Sequence, residues 1–327
     1  MIEVYSPLRA DLVGGPSDVD PYPETAGGEV VNAALDEWVC VRVFVGPARS
    51  AMEPERQETG ALVRAALADC LRSTPDLKIQ VATPLPGWQG LGTSSAIAVG
   101  LALGIAHACD EYELSSTEIC RRAEAIEEAA GIVGGRQDRC ASVFGGVAVY
   151  NFGAGGAVTR ESIGGAAAVL LEHAVLLREP GSRDSSAVVS DVLARYSAGD
   201  ASVAAALSAG VKLTRSVAAA LASGDCHEFS QVVQTIASIQ EALSDKIRDS
   251  IQQSELRKLI DDFSGVGKQL GAGGRGSTWL ALVPDPAALT VRAAEQGVES
   301  RGLSVSARGA YVSKAVAPSC RPGLTSA

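Results

Sequence analysis

Three glycine-rich segments hold the residues best placed to do chemistry. The first is Pro84-Leu-Pro-Gly-Trp-Gln-Gly-Leu-Gly-Thr-Ser-Ser-Ala96. Its glycines at 87, 90 and 92 permit positive φ and let backbone N–H groups converge on one point. A helix opening just after them adds free amides and partial positive charge, which makes an anion site. Thr93, Ser94 and Ser95 can cap that helix or offer a hydroxyl to Mg²⁺. A capped helix following a loop explains the same residues without a ligand, and the residues alone leave both readings open. The chain has no G-x-x-x-x-G-K-[ST], so this is not a Walker loop. The second segment, Gly271-Ala-Gly-Gly-Arg-Gly276, matches G-x-G-x-x-G letter for letter. A dinucleotide fingerprint needs a strand before it and a helix after it. Here the helical pattern of 254–270 precedes and the strand-like 277–283 follows, so that reading fails. Four glycines in six imply close backbone approach, either to a ligand or to another loop. The third segment runs from Gly131 to Arg139 and is followed by Phe144-Gly-Gly146. Asp138 lies in it as a carboxylate between two arginines, in a stretch that reads as loop. It is a candidate general base or a solvated side chain.

The elements that must position these segments follow from pattern. Strands are expected at 2–5, 38–45, 77–81, 146–151, 167–177 and 278–283, from β-branched or alternating runs. Helices are expected over about 61–72, about 94–108 and 117–130. The last opens on the capping box Ser115-x-x-Glu118, and Ile119, Ala123, Ile126 and Ala130 form its apolar stripe. From about 186 to 270 the chain reads almost wholly helical. The mixed order predicts an α+β protein with a domain change near 165–185.

Composition narrows the class. The 327 residues carry 28 Lys and Arg against 38 Asp and Glu, a net charge of −10, and only 4% are aromatic. Such a chain is ill suited to gripping nucleic acid or an anionic membrane surface. Its seven cysteines form no C-x-x-C and its histidines number three. The expectation is reduced, structural cysteines and no zinc site. The longest apolar stretch, Ala96 to Ala106, is far short of the ~20 residues of a membrane span. With no leader-like N-terminus, the sequence reads as a soluble, cytoplasmic protein.

Taken together, the three segments resemble the GHMP kinase superfamily. PLPGWQGLGTSSA looks like its ATP-binding P-x-x-x-G-L-G-S-S-A signature, GAGGRG like its C-terminal glycine motif, and SPLRADLVGGPSD (6–18) like its N-terminal substrate motif. Within the superfamily the spelling is similar to the heptose 7-phosphate kinase group. Pro7-Leu8-Arg9, Gly14-Gly15-Pro16-Ser17-Asp18, GGRQDRCASVFGG (134–146) and Gly181-Ser-Arg-Asp-Ser-Ser186 each have a counterpart there, in order. The resemblance implies a two-domain α+β fold, 1–168 and 169–327, with the active site in the cleft between domains.

It also implies roles. Gly90, Leu91, Gly92, Thr93, Ser94 and Ser95, with Gly273 and Gly274, would hold ATP. Ser94 and Glu127 would hold Mg²⁺, with Glu124 and Glu128 as rivals of the latter. Asp138 would be the general base and Arg9 its partner. Asp18, Gly14, Gly15, Gly135, Arg183 and Ser185 would bind the substrate, Arg183 and Ser185 at a distal phosphate. Several positions depart from the group's pattern: Asp11 stands for a small serine, Pro16 for a glycine, Arg139 for a glutamine, and Arg275 interrupts the glycine motif. Asp11 and Arg139 are expected either to form a local ion pair or, for the arginines, to add charge near the phosphates. The implied activity is ATP-dependent phosphorylation of the anomeric (C1) hydroxyl of a higher-carbon sugar phosphate. Candidates are a heptose 7-phosphate or an octose 8-phosphate, the latter in antibiotic biosynthesis. Alternatives are a free-sugar 1-kinase such as an L-fucose kinase, and a non-catalytic sugar sensor. The chain is expected as a monomer or homodimer.

Overall fold

The computed structural model describes residues 1–46, 57–70, 77–181 and 184–315. In chain order the first half comprises β1 (Ile2–Val13), α1 (Tyr22–Ala26), β2 (Gly28–Val45), α2 (Gln57–Cys70), β3 (Leu77–Ala82), α3 (Thr93–Ala108), α4 (Ser116–Ala129), α5 (Arg136–Phe144), β4 (Val147–Phe152) and β5 (Val158–Ile163). There follow α6 (Ala166–Leu171), β6 (Ala174–Arg178), α7 (Ser185–Ser197), α8 (Ala201–Ser223), α9 (Cys226–Leu243), α10 (Asp245–Gln253) and α11 (Glu255–Asp262). The chain then returns to β7 (Val266–Gln269), β8 (Thr278–Leu282), α12 (Pro286–Glu295), β9 (Ser300–Gly302) and β10 (Tyr311–Ala315).

Two sheets result. The first has the order β10-β1-β2-β4-β5, with β3 also paired to β2, and the second the order β7-β8-β6-β9. β10, late in the chain, pairs with β1, so the sheets do not divide the sequence at one point. β1 and β2 form a long antiparallel pair whose register slips between Pro7 and Arg9 and again between Asp11 and Val13. Such irregularities bend a strand and re-aim its side chains. Here they flank Arg9 and Asp11, two residues of the site described below.

Helix α3 is apolar on every side and twelve of its residues are buried, as expected of a helix in the middle of a core. Gly100 lets it press onto the sheet: a Cβ there would lie 2.6 Å from Cγ2 of Val41. Helix α4 opens on the expected capping box, with the Glu118 amide donating to Ser115 Oγ at 3.1 Å. Helix α8 is long and apolar enough to cross a membrane by length and composition. Its buried residues Val203, Leu207, Gly210, Thr214, Val217 and Leu221 nevertheless recur three or four apart, forming a single stripe. That spacing is the pattern of a helix with one face on a protein core.

One expected strand and the end of one expected helical stretch need correction. The apolar run 167–177 begins as helix α6 and becomes strand only at Ala174, because consecutive small residues at 166–168 suit a helix. Conversely, the end of the supposed helical stretch, 266–269, is strand β7. Gly265 and Gly267 break the helix, and β8 supplies the pairing partner. Among the described residues Cys40, Cys109, Cys120, Cys140 and Cys226 are free.

Candidate active site

The Gly90–Ser95 loop is clamped from both sheets. Arg9 of β1 donates its backbone N–H to Leu91 O at 2.9 Å, and Thr278 of β8 donates to Gln89 O from both N, at 3.0 Å, and Oγ1, at 2.7 Å. Gly90 has φ +84°, and a Cβ there would fall 2.4 Å from Leu270 O. Gly271 packs directly on Gly90. The second glycine segment thus approaches the first, so a neighbouring loop is one partner of its close backbone approach. Gly271 and Ala272 line the cleft, whereas Gly273 and Gly274 are buried and the Gly274 amide donates to Gln269 Oε1 at 2.6 Å. Gly92, in the left-handed region, is the N-cap of α3, and no side chain caps that helix. Thr93, Ser94 and Ser95 therefore do not cap it. The first-turn amides and dipole are left to an anion, and this cradle fits the phosphates of a nucleotide.

Asp138 is not in a loop. It lies in the first turn of α5, buried, with Gly135 as N-cap. Arg9 meets it in a bidentate pair, Nε to Oδ1 at 2.7 Å and Nη2 to Oδ2 at 2.8 Å. The third guanidinium nitrogen, Nη1, donates to the carbonyl of Gly90. One arginine therefore ties the candidate base to the phosphate loop. Burial works against the Arg9 charge, but the charge and hydrogen bonds of Asp138 outweigh it and hold its pKa above the ordinary range.

Asp18 is fully buried and accepts the Gln137 amide at 2.9 Å and, more weakly, Gln137 Nε2 at 3.4 Å. Burial, followed by the charge of Asp138, pushes its pKa up to about 7. Gln137 is held in turn by Asn32, whose Nδ2 donates to Gln137 Oε1 at 2.9 Å. Gly15 and Gly135 line the same cleft, Gly135 against the Asp18 carboxylate, while Gly14 lines an adjoining recess. A carboxylate paired with an arginine, a second buried acid and a helix N-terminus with free amides thus converge on one cleft.

Residues 60–146, which contain the loop, α4 and Asp138, match the family model for the GHMP kinases N terminal domain. Over that stretch the chain is similar to the GHMP kinases. It is 29% identical over 172 residues to the D-glycero-alpha-D-manno-heptose 7-phosphate kinase of Campylobacter jejuni, a match covering 46% of this chain and 50% of that protein. It therefore spans only about half the length of this curated relative. Among solved structures it is similar to a D-glycero-D-manno-heptose 1-phosphate kinase from Bacteroides thetaiotaomicron, with TM-score 0.71, 18% identity, and coverage of 97% of this chain and 100% of that one. The Streptococcus pneumoniae phosphomevalonate kinase in complex with phosphomevalonate and AMPPNP gives TM-score 0.68, 15% identity, and coverage of 94% and 100%. These likenesses establish the two-sheet α+β GHMP kinase fold.

The expected metal pair is built differently in this chain. Ser95, not Ser94, reaches Glu127, donating its hydroxyl to Oε1 at 2.8 Å. The other oxygen, Oε2, accepts from Arg139 Nη1 at 3.0 Å, and Arg139 Nη2 bonds Glu124. The expected Asp11–Arg139 ion pair is therefore not formed. Glu127 is 1% exposed. Burial raises its pKa, while the Arg139 charge and the Ser95 and Arg139 hydrogen bonds oppose the rise. With both oxygens engaged and a guanidinium in place, Glu127 as built does not fit direct ligation of a divalent cation.

Ser185 begins α7 and is exposed, and its neighbour Asp184 caps that helix by accepting the Ala187 amide. Arg183 lies outside the described residues. The cleft wall that α7 provides is aliphatic, Val188, Val189 and Val192, joined by Leu243 and Ile247. Sequence reasoning missed Gln137 and Asn32, and also Gln240, which lines the cleft, and Lys268, which lines the adjoining recess. The first directly follows the motif's arginine, but the others carry no local motif and reach the site only through sheet pairing and packing.

Proposed function

We propose that the chain is an ATP-dependent sugar kinase that phosphorylates the anomeric C1 hydroxyl of a higher-carbon sugar phosphate, of the heptose 7-phosphate kind. The observation carrying this reading is the Arg9 guanidinium, which joins both oxygens of Asp138 to the Gly90 carbonyl. Base and phosphate cradle are thereby held in one frame, as phosphoryl transfer requires, since its catalysis is chiefly positioning and charge stabilisation. ATP bound at the loop supplies the phosphoryl group. The sugar hydroxyl loses its proton to a free lone pair of Asp138 as its oxygen bonds to phosphorus, and the bond to the departing ADP oxygen breaks. Arg9 keeps Asp138 aimed and balances negative charge beside it. Asp18, with a pKa of about 7, serves a second sugar hydroxyl as donor or acceptor. Leu91, Gly92 and Thr93 contribute backbone to the phosphate cradle.

A second reading, a free-sugar 1-kinase, is favoured by one observation. Among the described residues, the wall made by Val188, Val189, Val192, Leu243 and Ile247 is apolar and presents no cation to a distal phosphate. The two readings separate in one experiment. The protein is incubated with ATP and each of a panel of C6 to C8 sugars and their terminal phosphates, and products are read by ³¹P NMR. A new anomeric phosphate signal with a sugar phosphate supports the first reading, and the same signal only with free sugars supports the second. ATP binding without transfer to any member of the panel counts against both.

A further inference from the structure

The cleft contains two buried acceptors that the mechanism above does not use. Asp11 is 3% exposed, and its Oδ1 has no hydrogen-bond partner. Gln240 is 9% exposed, its Nε2 donates to Gln269 O at 2.8 Å, and its Oε1 likewise has no partner. The bond from Nε2 to a carbonyl fixes which end of the amide is which. Both residues line the cleft that holds Arg9, Asp18 and Asp138. A buried acceptor without a donor costs free energy unless a ligand supplies one.

Resting on the sugar-kinase reading, we infer that Asp11 and Gln240 are specificity-determining residues that accept hydrogen bonds from sugar hydroxyls other than the one phosphorylated. Hydroxyls suit the site better than an ammonium group. Arg9 and Lys268 already interact electrostatically with Asp11, so its charge is balanced within the protein. Lys268 donates to the backbone carbonyls of Asp11, at 2.6 Å, and Leu12, at 3.1 Å. That leaves the Asp11 carboxylate oriented but not capped. Its position on β1, between two slips of register, aims it into the cleft beside Arg9. The substrate class that follows is a polyol presenting at least two free hydroxyls to this wall while a third faces Asp138.

The test reads binding, so that it does not depend on turnover. Calorimetric titration of D-glycero-D-manno-heptose 7-phosphate, L-fucose and the monodeoxy analogues of whichever binds is carried out on wild type, Asp11→Ser, Asp11→Asn and Gln240→Met. Far-UV circular dichroism and thermal melts establish that each variant is folded. Asp11→Ser is expected to weaken sugar binding by about 10- to 100-fold, the range for a hydrogen bond to a charged group. Asp11→Asn, which keeps an acceptor oxygen, is expected to recover much of that. Wild type is expected to reject one particular deoxy analogue that Asp11→Ser no longer distinguishes from the parent, and Gln240→Met to do the same for a different analogue. A folded Asp11→Ser that binds the sugar as wild type does, or rejects every analogue as before, overturns the inference while leaving the kinase reading standing. Failure of wild type to bind any of the sugars overturns both. Sugar binding that depends on Asp11, without phosphoryl transfer from ATP, supports the inference and sinks the kinase reading.

Discussion

At the scale of single residues, the site is a cluster of charges that balance one another out of water. Asp18 shows the consequence most clearly. Its pKa stands at about 7 in the folded chain against an ordinary 3.8, because burial and the Asp138 charge disfavour the ionised form. Between those values the folded state binds a proton that the unfolded state has released. The resulting stabilisation is complete below about pH 4 and declines as pH rises through 7. Thermal melts of ligand-free wild type and Asp18→Asn from pH 5 to 8 check this. The melting temperature of wild type should fall relative to that of the variant as pH rises, and parallel profiles would remove Asp18 as the source. The sequence displayed Arg9, Asp18 and Asp138 through their motifs. It did not display which acid Arg139 meets, since Glu124 and Glu127 lie 15 and 12 residues away and only the packing of α4 on α5 selects them over Asp11.

At the scale of elements, the loop before α3 depends on how closely two backbones can approach. Gly90 needs both a positive φ and the absence of a side chain, because Leu270 O stands 2.4 Å from where a Cβ would be. Gly90→Ala is expected to lower stability by about 1–3 kcal/mol through backbone strain. It should also weaken nucleotide binding by tenfold or more as the loop is pushed off Gly271. Thermal melts and titration with a non-hydrolysable ATP analogue measure the two effects, and a variant unchanged in both would show that the contact is dispensable. The elements legible in sequence were those with strong local signals, such as the Ser115 cap of α4 and the alternation of β3. Helix α5 was not legible: Gly134 and Gly135 imitate a loop, and the helix's stability comes from burying Gln137, Asp138 and Arg139 against neighbours remote in sequence. Strand β7 was hidden for a similar reason, its four residues being defined by pairing with β8.

For the whole molecule, the net charge of −10 argued against polyanionic partners. It left room for a small phosphate met by amides at a helix N-terminus. The two sheets meet at the loop through Arg9 on one side and Thr278 on the other, so the shape of the loop depends on both halves of the chain. The central claim is that this junction transfers a phosphoryl group with Asp138 as base. The most direct measurement is single-turnover transfer from ATP to the sugar selected from the panel, for wild type and a folded Asp138→Asn, alongside nucleotide affinity for each. Transfer should slow by about 10²- to 10⁴-fold, as loss of a general base does, with nucleotide affinity kept within about threefold because the cradle is backbone. Transfer by Asp138→Asn at the wild-type rate would contradict the account.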